Sequence, residues 1–263
     1  MKIACFSVAA LDFFPQQNEH FAGGNSLNQA VRFRQLGHET AFVGPLGMDA
    51  AGERIFDLLR RRGVDLTGLH RLDGPTASNQ IVNDEHGERF GVEGAWQNGV
   101  YADYHLSQAD WALLDDCAVW ATHVNGPNFA EALRRKPAGK FMAVDFLHLR
   151  EYEVLEQNPG AIDIAYFGGT SDMADELLRL SRETASLLVL TLGAEGSIAF
   201  RGGTFYTQPA LPLDKVLDTT GCGDAFQAGF TSEYLKSGDI PAALLAGAEL
   251  GRQAASSFGG VPW

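Results

Sequence analysis

Cysteine is nearly missing from this chain. Only Cys5, Cys117 and Cys222 occur among 263 residues, too few and too scattered for a disulfide framework or a zinc site. A reducing, cytoplasmic setting is the expectation. Basic residues are also short: 20 Lys and Arg stand against 33 Asp and Glu, a net charge of −13. That balance argues against nucleic acid or anionic membrane as a partner. It leaves nucleotide binding open, because that relies on local donors and magnesium. No apolar run approaches the roughly 20 residues of a membrane span, and residues 1–8 lack the basic lead-in of a signal peptide. The histidines show no metal-ligand spacing.

Apolar residues and glycine are plentiful instead. With 45% hydrophobic residues and 30 glycines, the chain can bury a large core as a single domain spanning 1–263. Residues 1–8 read as a first buried strand, and 13–21, aromatic and polar with Pro15, as an exposed edge strand. A helix starts after Gly23-Gly24-Asn25, with Leu27, Ala30, Val31 and Phe33 through Leu36 on its buried side. Gly37 ends it. A strand over 40–44 and an amphipathic helix over 50–62 follow, the helix closing on three arginines that suit its negative pole. Alternation on either side of Asp84-Glu85-His86-Gly87 predicts a hairpin over 76–92. It interrupts the strand–helix order, so we group it with 13–21 as a small β lid (strands about 13–21 and 76–93).

Strand–helix alternation then resumes. Helices are expected over 107–114, 127–135 and 171–184, with strands over 117–122, 141–145, 162–167 and 187–191. A second hairpin turns at Arg201-Gly202-Gly203-Thr204, and helices over 223–236 and 241–258 close the chain. Repeated strand–helix units imply an α/β fold with a mainly parallel sheet covered on both faces.

Chemistry is stated most clearly by Asp218-Thr219-Thr220-Gly221-Cys222-Gly223-Asp224, which leads into an apolar helix. Gly221, Cys222 and Gly223 carry little side chain, so their N–H groups can close on an anion at the helix's positive end. Asp224 is the base beside that cradle. This layout suits phosphoryl transfer, although spacing alone reads equally well as a helix cap.

The segment resembles the D-T-x-G-A-G-D signature of the ribokinase-like (PfkB) carbohydrate kinases, with Cys222 where that family usually has Ala. Other stretches fit in order along the chain. Asp12 and Gly23-Gly24-Asn25 with Asn28 resemble the family's sugar-binding acid and G-G-N-x-x-N turn. Thr191-Leu192-Gly193-Ala194-Glu195-Gly196 resembles the T-x-G-x-x-G element that meets ATP phosphates. A narrower similarity is to the fructoselysine 6-kinase branch, carried by the aromatic lid strand, Gly94 and Gly99 through Tyr104, and the closing Gly260 and Trp263.

The resemblance implies a three-layer ribokinase-like sandwich and ATP-dependent phosphorylation of a sugar, expected at the C6 hydroxyl of a fructosamine. Asp224, Gly221, Cys222 and Gly223 would be catalytic; Asp12, Gly23, Gly24, Asn25, Asn28 and Arg89 would hold the sugar; Thr191, Gly193 and Gly196 would hold the nucleotide. Glu93 or Asp103 would meet the substrate ammonium. Magnesium accompanies ATP, and the family places a monovalent cation near Asp218 and Thr220. Apolar lid residues (Phe13, Phe14, Ile81, Val82) make a homodimer through the lid an expectation.

One family element is missing. Where relatives carry N-x-x-E, this chain has Gly168-Gly169-Thr170-Ser171-Asp172, so its magnesium ligands are unknown, with Asp145 as loose help. A helix start should also depress the Asp224 pKa. Three alternatives stand beside the fructosamine reading: a kinase of another sugar or nucleoside, a low-pKa thiol enzyme using Cys222, and a sugar-binding regulator without catalysis.

Overall fold

The computed structural model describes residues 1–263. The chain opens with β1 (Lys2–Phe6), β2 (Ala10–Phe14), β3 (Glu19–Gly23), α1 (Asn25–Gln35), β4 (Glu39–Gly47) and α2 (Ala50–Arg61). Next come β5 (Asp65–Leu72), β6 (Ala77–Asn83), β7 (Arg89–Gly91), α3 (Gln108–Asp115), β8 (Val119–His123) and α4 (Phe129–Arg135). Then follow β9 (Phe141–Asp145), α5 (Glu153–Gln157), β10 (Ile164–Gly168), α6 (Ala174–Glu183) and β11 (Leu187–Thr191). The hairpin β12 (Ser197–Arg201) and β13 (Thr204–Gln208) precedes the last two helices, α7 (Cys222–Ser237) and α8 (Ile240–Ala254).

Nine strands make one sheet in the order β13-β12-β11-β10-β9-β8-β1-β4-β5. From β11 to β5 every pairing is parallel, and the β11–β12 and β12–β13 pairs at the other edge are antiparallel. Continuous apolar strands such as Leu187-Leu188-Val189-Leu190 have two buried faces because successive side chains point to opposite sides. Trp120, Met142, Val144, Phe167 and Leu190 pack on one side against Leu114, Ala132, Leu177 and Leu180 of α3, α4 and α6. On the other side Ile3, Cys5 and Ala121 meet Leu27, Val31 and Ile55 of α1 and α2. Ile164, Tyr166 and Val189 meet Phe226, Phe230 and Leu244 of α7 and α8. The result is the expected three-layer α/β sandwich.

A four-stranded sheet, β3-β2-β6-β7, stands off this sandwich. Its β2–β6 pair is parallel and its outer pairs antiparallel. Here the structure corrects the sequence reading of 13–21 as one exposed edge strand. The segment is a hairpin, turning through Pro15 to Asn18, where Asn18 takes φ 52°. Phe14 is fully buried against Phe21 and Phe258, at ring separations of 5.1 and 6.4 Å. Two elements were not foreseen: β5, whose mixed sequence DLTGLHRL suits a half-solvated sheet edge, and the short α5. Leu36, expected in the core, is 38% exposed beyond the last turn of α1. Trp263 lies on α2, with the Arg54 guanidinium 4.2 Å from the centre of its ring.

Candidate active site

The carboxyl ends of the parallel strands converge where α1 and α7 begin, which is where open α/β sheets collect ligands. Asp145 ends β9 beside His123 of β8. Asp224 sits in the first turn of α7, whose N-cap Gly221 has φ 75°. Asn25 and Asn28 occupy the first turn of α1. The Asn25 amide donates to Asp145 Oδ2 at 2.6 Å and to Asp224 Oδ1 at 2.8 Å. The Asn28 amide donates to Asp224 Oδ2 at 2.7 Å. Helix spacing puts Asn25, Asn28, Gln29 and Arg32 on one side of α1, facing the start of α7.

Glycine makes this closeness possible. A Cβ on Gly260 would lie 2.3 Å from Asn28 Nδ2, and one on Gly221 would lie 2.6 Å from Gly260 Cα. Gly23 leaves room for Asp12: a Cβ there would sit 2.0 Å from Asp12 Oδ2. Gly24, at φ 95°, brings the start of α1 against Val8 and Ala9. Gly223 is different, with nothing within 4 Å of where its Cβ would be. It is exposed, and its N–H and those of Gly221 and Asp224 make no hydrogen bond. The Cys222 N–H is already committed to the Thr219 carbonyl at 3.2 Å. Of the expected donors Gly221, Cys222 and Gly223, only Gly221 and Gly223 keep a free N–H, and the Asp224 N–H is free beside them.

Electrostatics also departs from the sequence reading. Burial, with the Asp145 charge next to it, pushes the Asp224 carboxyl up to about 7, against the Asn28 hydrogen bond and the fields of Arg89 and Arg32. The helix start does not win because desolvation and a second carboxylate outweigh it. Asp12 is pushed up to about 6, chiefly by burial, and Asp145 is raised for the same reason. Arg89 is exposed, yet its charge acts on Asp12, Asp145 and Asp224 alike. Its backbone N–H is fixed by Thr219 Oγ1 at 3.0 Å. Burial raises the Cys222 thiol to about 12, with Asp218 adding to it. A thiol that ionises there is inert at neutral pH, which removes the physical basis of a thiol enzyme. Cys222→Ala should accordingly keep turnover within about threefold, as a steady-state assay would show.

Thr191, Gly193 and Gly196 gather at the end of β11, two strands from Asp145, and make no hydrogen bond to the acids. Gly193 (φ 56°) faces open space, whereas a Cβ on Gly196 (φ 105°) would lie 2.1 Å from the Gln208 carbonyl. Three residues of the site went unseen in the sequence, Gln29, Arg32 and Gln227, and Gly260 was noted there without a role in the site. Gln29 donates to Gln227 Oε1 at 2.5 Å, Gln227 supports Asp145, and Arg32 donates to the Gly260 carbonyl at 3.0 Å. Polar residues at helical spacing in an otherwise buried α1 were the available signal.

A doubly wound sheet with a small second sheet at its ligand end, and an acid at a glycine-opened helix start, defines a small-molecule phosphotransferase architecture. Comparison with known proteins makes this specific. The family model for pfkB family carbohydrate kinases matches residues 12–262, and the chain belongs to that family. It is an ATP-dependent carbohydrate kinase. Fructoselysine 6-kinase of Escherichia coli (strain K12) is 31% identical over 242 residues, covering 90% of each chain. A fructosamine kinase of Bacillus subtilis (strain 168) is 26% identical over 265 residues, 98% of this chain and 92% of that one. In fold, the chain resembles adenosine kinase from Sinorhizobium meliloti, with TM-score 0.84, 21% identity, and 99% and 95% of the two chains covered.

Proposed function

We propose that this kinase transfers the γ-phosphoryl group of ATP to the C6 hydroxyl of a fructosamine such as fructoselysine. The observation that carries the chemistry is Asp224: a partly buried carboxylate, gripped by two asparagines, beside unpartnered N–H groups at a helix start. The names of the relatives support the choice of sugar.

In this reading Asp224 takes the proton of the attacking hydroxyl. With its carboxyl near 7, it is a stronger base than a helix-start acid would be, and proton transfer need not wait until late in the attack. The N–H groups of Gly221, Gly223 and Asp224 face the charge that builds on the transferring phosphoryl oxygens. Asp12, with Gly23 and Gly24 drawn against it, and the Asn28 carbonyl oxygen offer acceptors to sugar hydroxyls. Arg89 reaches in from the small sheet, which serves as the lid. Thr191, Gly193 and Gly196 take the nucleotide end.

Magnesium fits this chain as part of the incoming nucleotide. No three His, Cys, Asp or Glu side chains group as a metal site, and Asp145 already accepts from Asn25 and the Leu147 N–H. The ion when bound neutralises phosphate charge. A monovalent cation finds no open carboxylate at Asp218, which accepts from Thr220 N–H, Thr220 Oγ1, Asn83 Nδ2 and Gly259 N–H. It would have to bind backbone carbonyls there. For a second copy the lid offers Phe13, Val82 and the 53% exposed Phe90, since Phe14 and Ile81 turn inward.

An ADP-release assay across fructoselysine, fructose, ribose and adenosine tests the substrate. Fructoselysine should lead the others by at least about tenfold in kcat/KM, with phosphate on C6. A nucleoside as the best acceptor would overturn the assignment.

A further inference from the structure

We infer that Asn25 is a positioning residue, whose side-chain amide holds the Asp224 and Asp145 carboxylates side by side and so fixes the plane of the Asp224 carboxylate. Its consequence for turnover rests on the kinase reading above; its structural content does not. A primary amide has two N–H bonds, and here each goes to a different acid, at 2.6 and 2.8 Å. That leaves Asn25 no donor for a sugar hydroxyl, contrary to the sugar-holding role expected from the sequence.

Two neighbouring carboxylates repel, and the Asp145 charge is one reason that the Asp224 carboxyl is raised. A donor between them favours the ionised forms and prevents either acid from swinging away. Asn28 grips the second oxygen of Asp224 at 2.7 Å, so two points three residues apart on α1 define the carboxylate's orientation. Around Asp224 the charged groups are Asp145 from β9, Arg89 from the small sheet and Arg32 from α1. Neither arginine forms a salt bridge with it, so the orientation comes from the asparagines.

The Asp145 side is held as firmly. Leu147, a non-glycine residue at φ 56°, turns its N–H onto Asp145 Oδ1 at 2.8 Å. Backbone of that kind is unfavourable by about 1–3 kcal/mol and persists where surroundings over-determine it. Gln227, held by Gln29 at 2.5 Å, supports the same acid. Asp145 is thus the fixed post, Asn25 the link, and Asp224 the group being aimed.

The experiment compares Asn25→Leu, of similar size without donors, with Asn25→Gln, which keeps the amide; Asn25→Ala replaces the leucine variant if that does not fold. Loss of the donors should lower kcat about 100-fold, with KM for sugar and for ATP within about threefold of the parent, and N25Q should recover at least about tenfold of the loss. Turnover of N25L close to that of the parent overturns the inference, as does equal impairment of the two variants. A sugar KM that rises more than about tenfold at unchanged kcat makes Asn25 a sugar ligand instead. Carboxyl-carbon NMR of labelled aspartate gives a readout independent of activity. The Asp224 midpoint should move up by about one pH unit in N25L, and an unmoved midpoint counts against the clamp. If the parent turns over none of the sugars, the kinase reading fails and this titration alone decides the clamp.

Discussion

Replacing Asp224 by Asn should remove about three orders of magnitude from turnover while ATP affinity stays within a few-fold. The amide has nearly the same shape, so the glycine turn and the α7 start keep their geometry. What disappears is the only carboxylate at the helix start. The same residue sets a pH dependence. As the proposed base it would work in its ionised form, and burial pushes its carboxyl up to about 7, so kcat/KM should fall about tenfold per unit below about pH 7. Asp145→Asn removes the neighbouring charge and should move that acid limb downward, whatever it does to the maximal rate. Stopped or coupled ADP-release kinetics from pH 5 to 9 read both effects. Turnover of the Asp224→Asn enzyme within about tenfold of the parent would remove Asp224 from its proposed role.

Gly221 and Gly223, two residues apart, should fail in opposite ways when changed to valine. At 223 the new side chain enters open space, so the fold should survive with a melting temperature within about 3 °C of the parent. Its methyl groups would stand before the free N–H groups at the start of α7, and turnover should drop about 100-fold. At 221 the backbone has φ 75° and a Cβ would lie 2.6 Å from Gly260 Cα. Left-handed strain and overpacking together destabilise by about 3 kcal/mol, lowering the melting temperature by roughly 6–12 °C for a chain of this size. Calorimetry and the ADP assay on both variants separate an anion site from a packing site. A valine at 223 that leaves turnover intact would show that the phosphates approach elsewhere.

The contrast between those glycines marks where the sequence stops being legible. Strands such as Leu187–Thr191 and helices such as Ala50–Arg61 are visible because their apolar period is set locally, and the structure places them within a residue or two of expectation. The turn at Pro15 to Asn18 was missed because Asn18 rather than glycine supplies the positive φ. The Asp224 pKa was misjudged in direction for a similar reason. A helix start is a local property, whereas Asp145 lies 79 positions away in the chain and is brought beside Asp224, across the Asn25 amide, only by the fold. Asn25 was visible as part of a Gly-Gly-Asn turn, but its two acid partners lie 120 and 199 residues away. Close-range chemistry between distant positions is what a single sequence does not spell out.

Strand order also bears on how such a molecule is made. All nine strands of the large sheet are complete by Gln208, yet the helices that cover Ile164, Tyr166, Leu187 and Val189 on one face begin only at Cys222. During synthesis at roughly 5–20 residues per second, a nascent chain would therefore carry a finished sheet with half of one face bare for a few seconds. That interval is when a chaperone would have most to shield. Phosphorylating competence would arrive last, with the segment that buries the sheet.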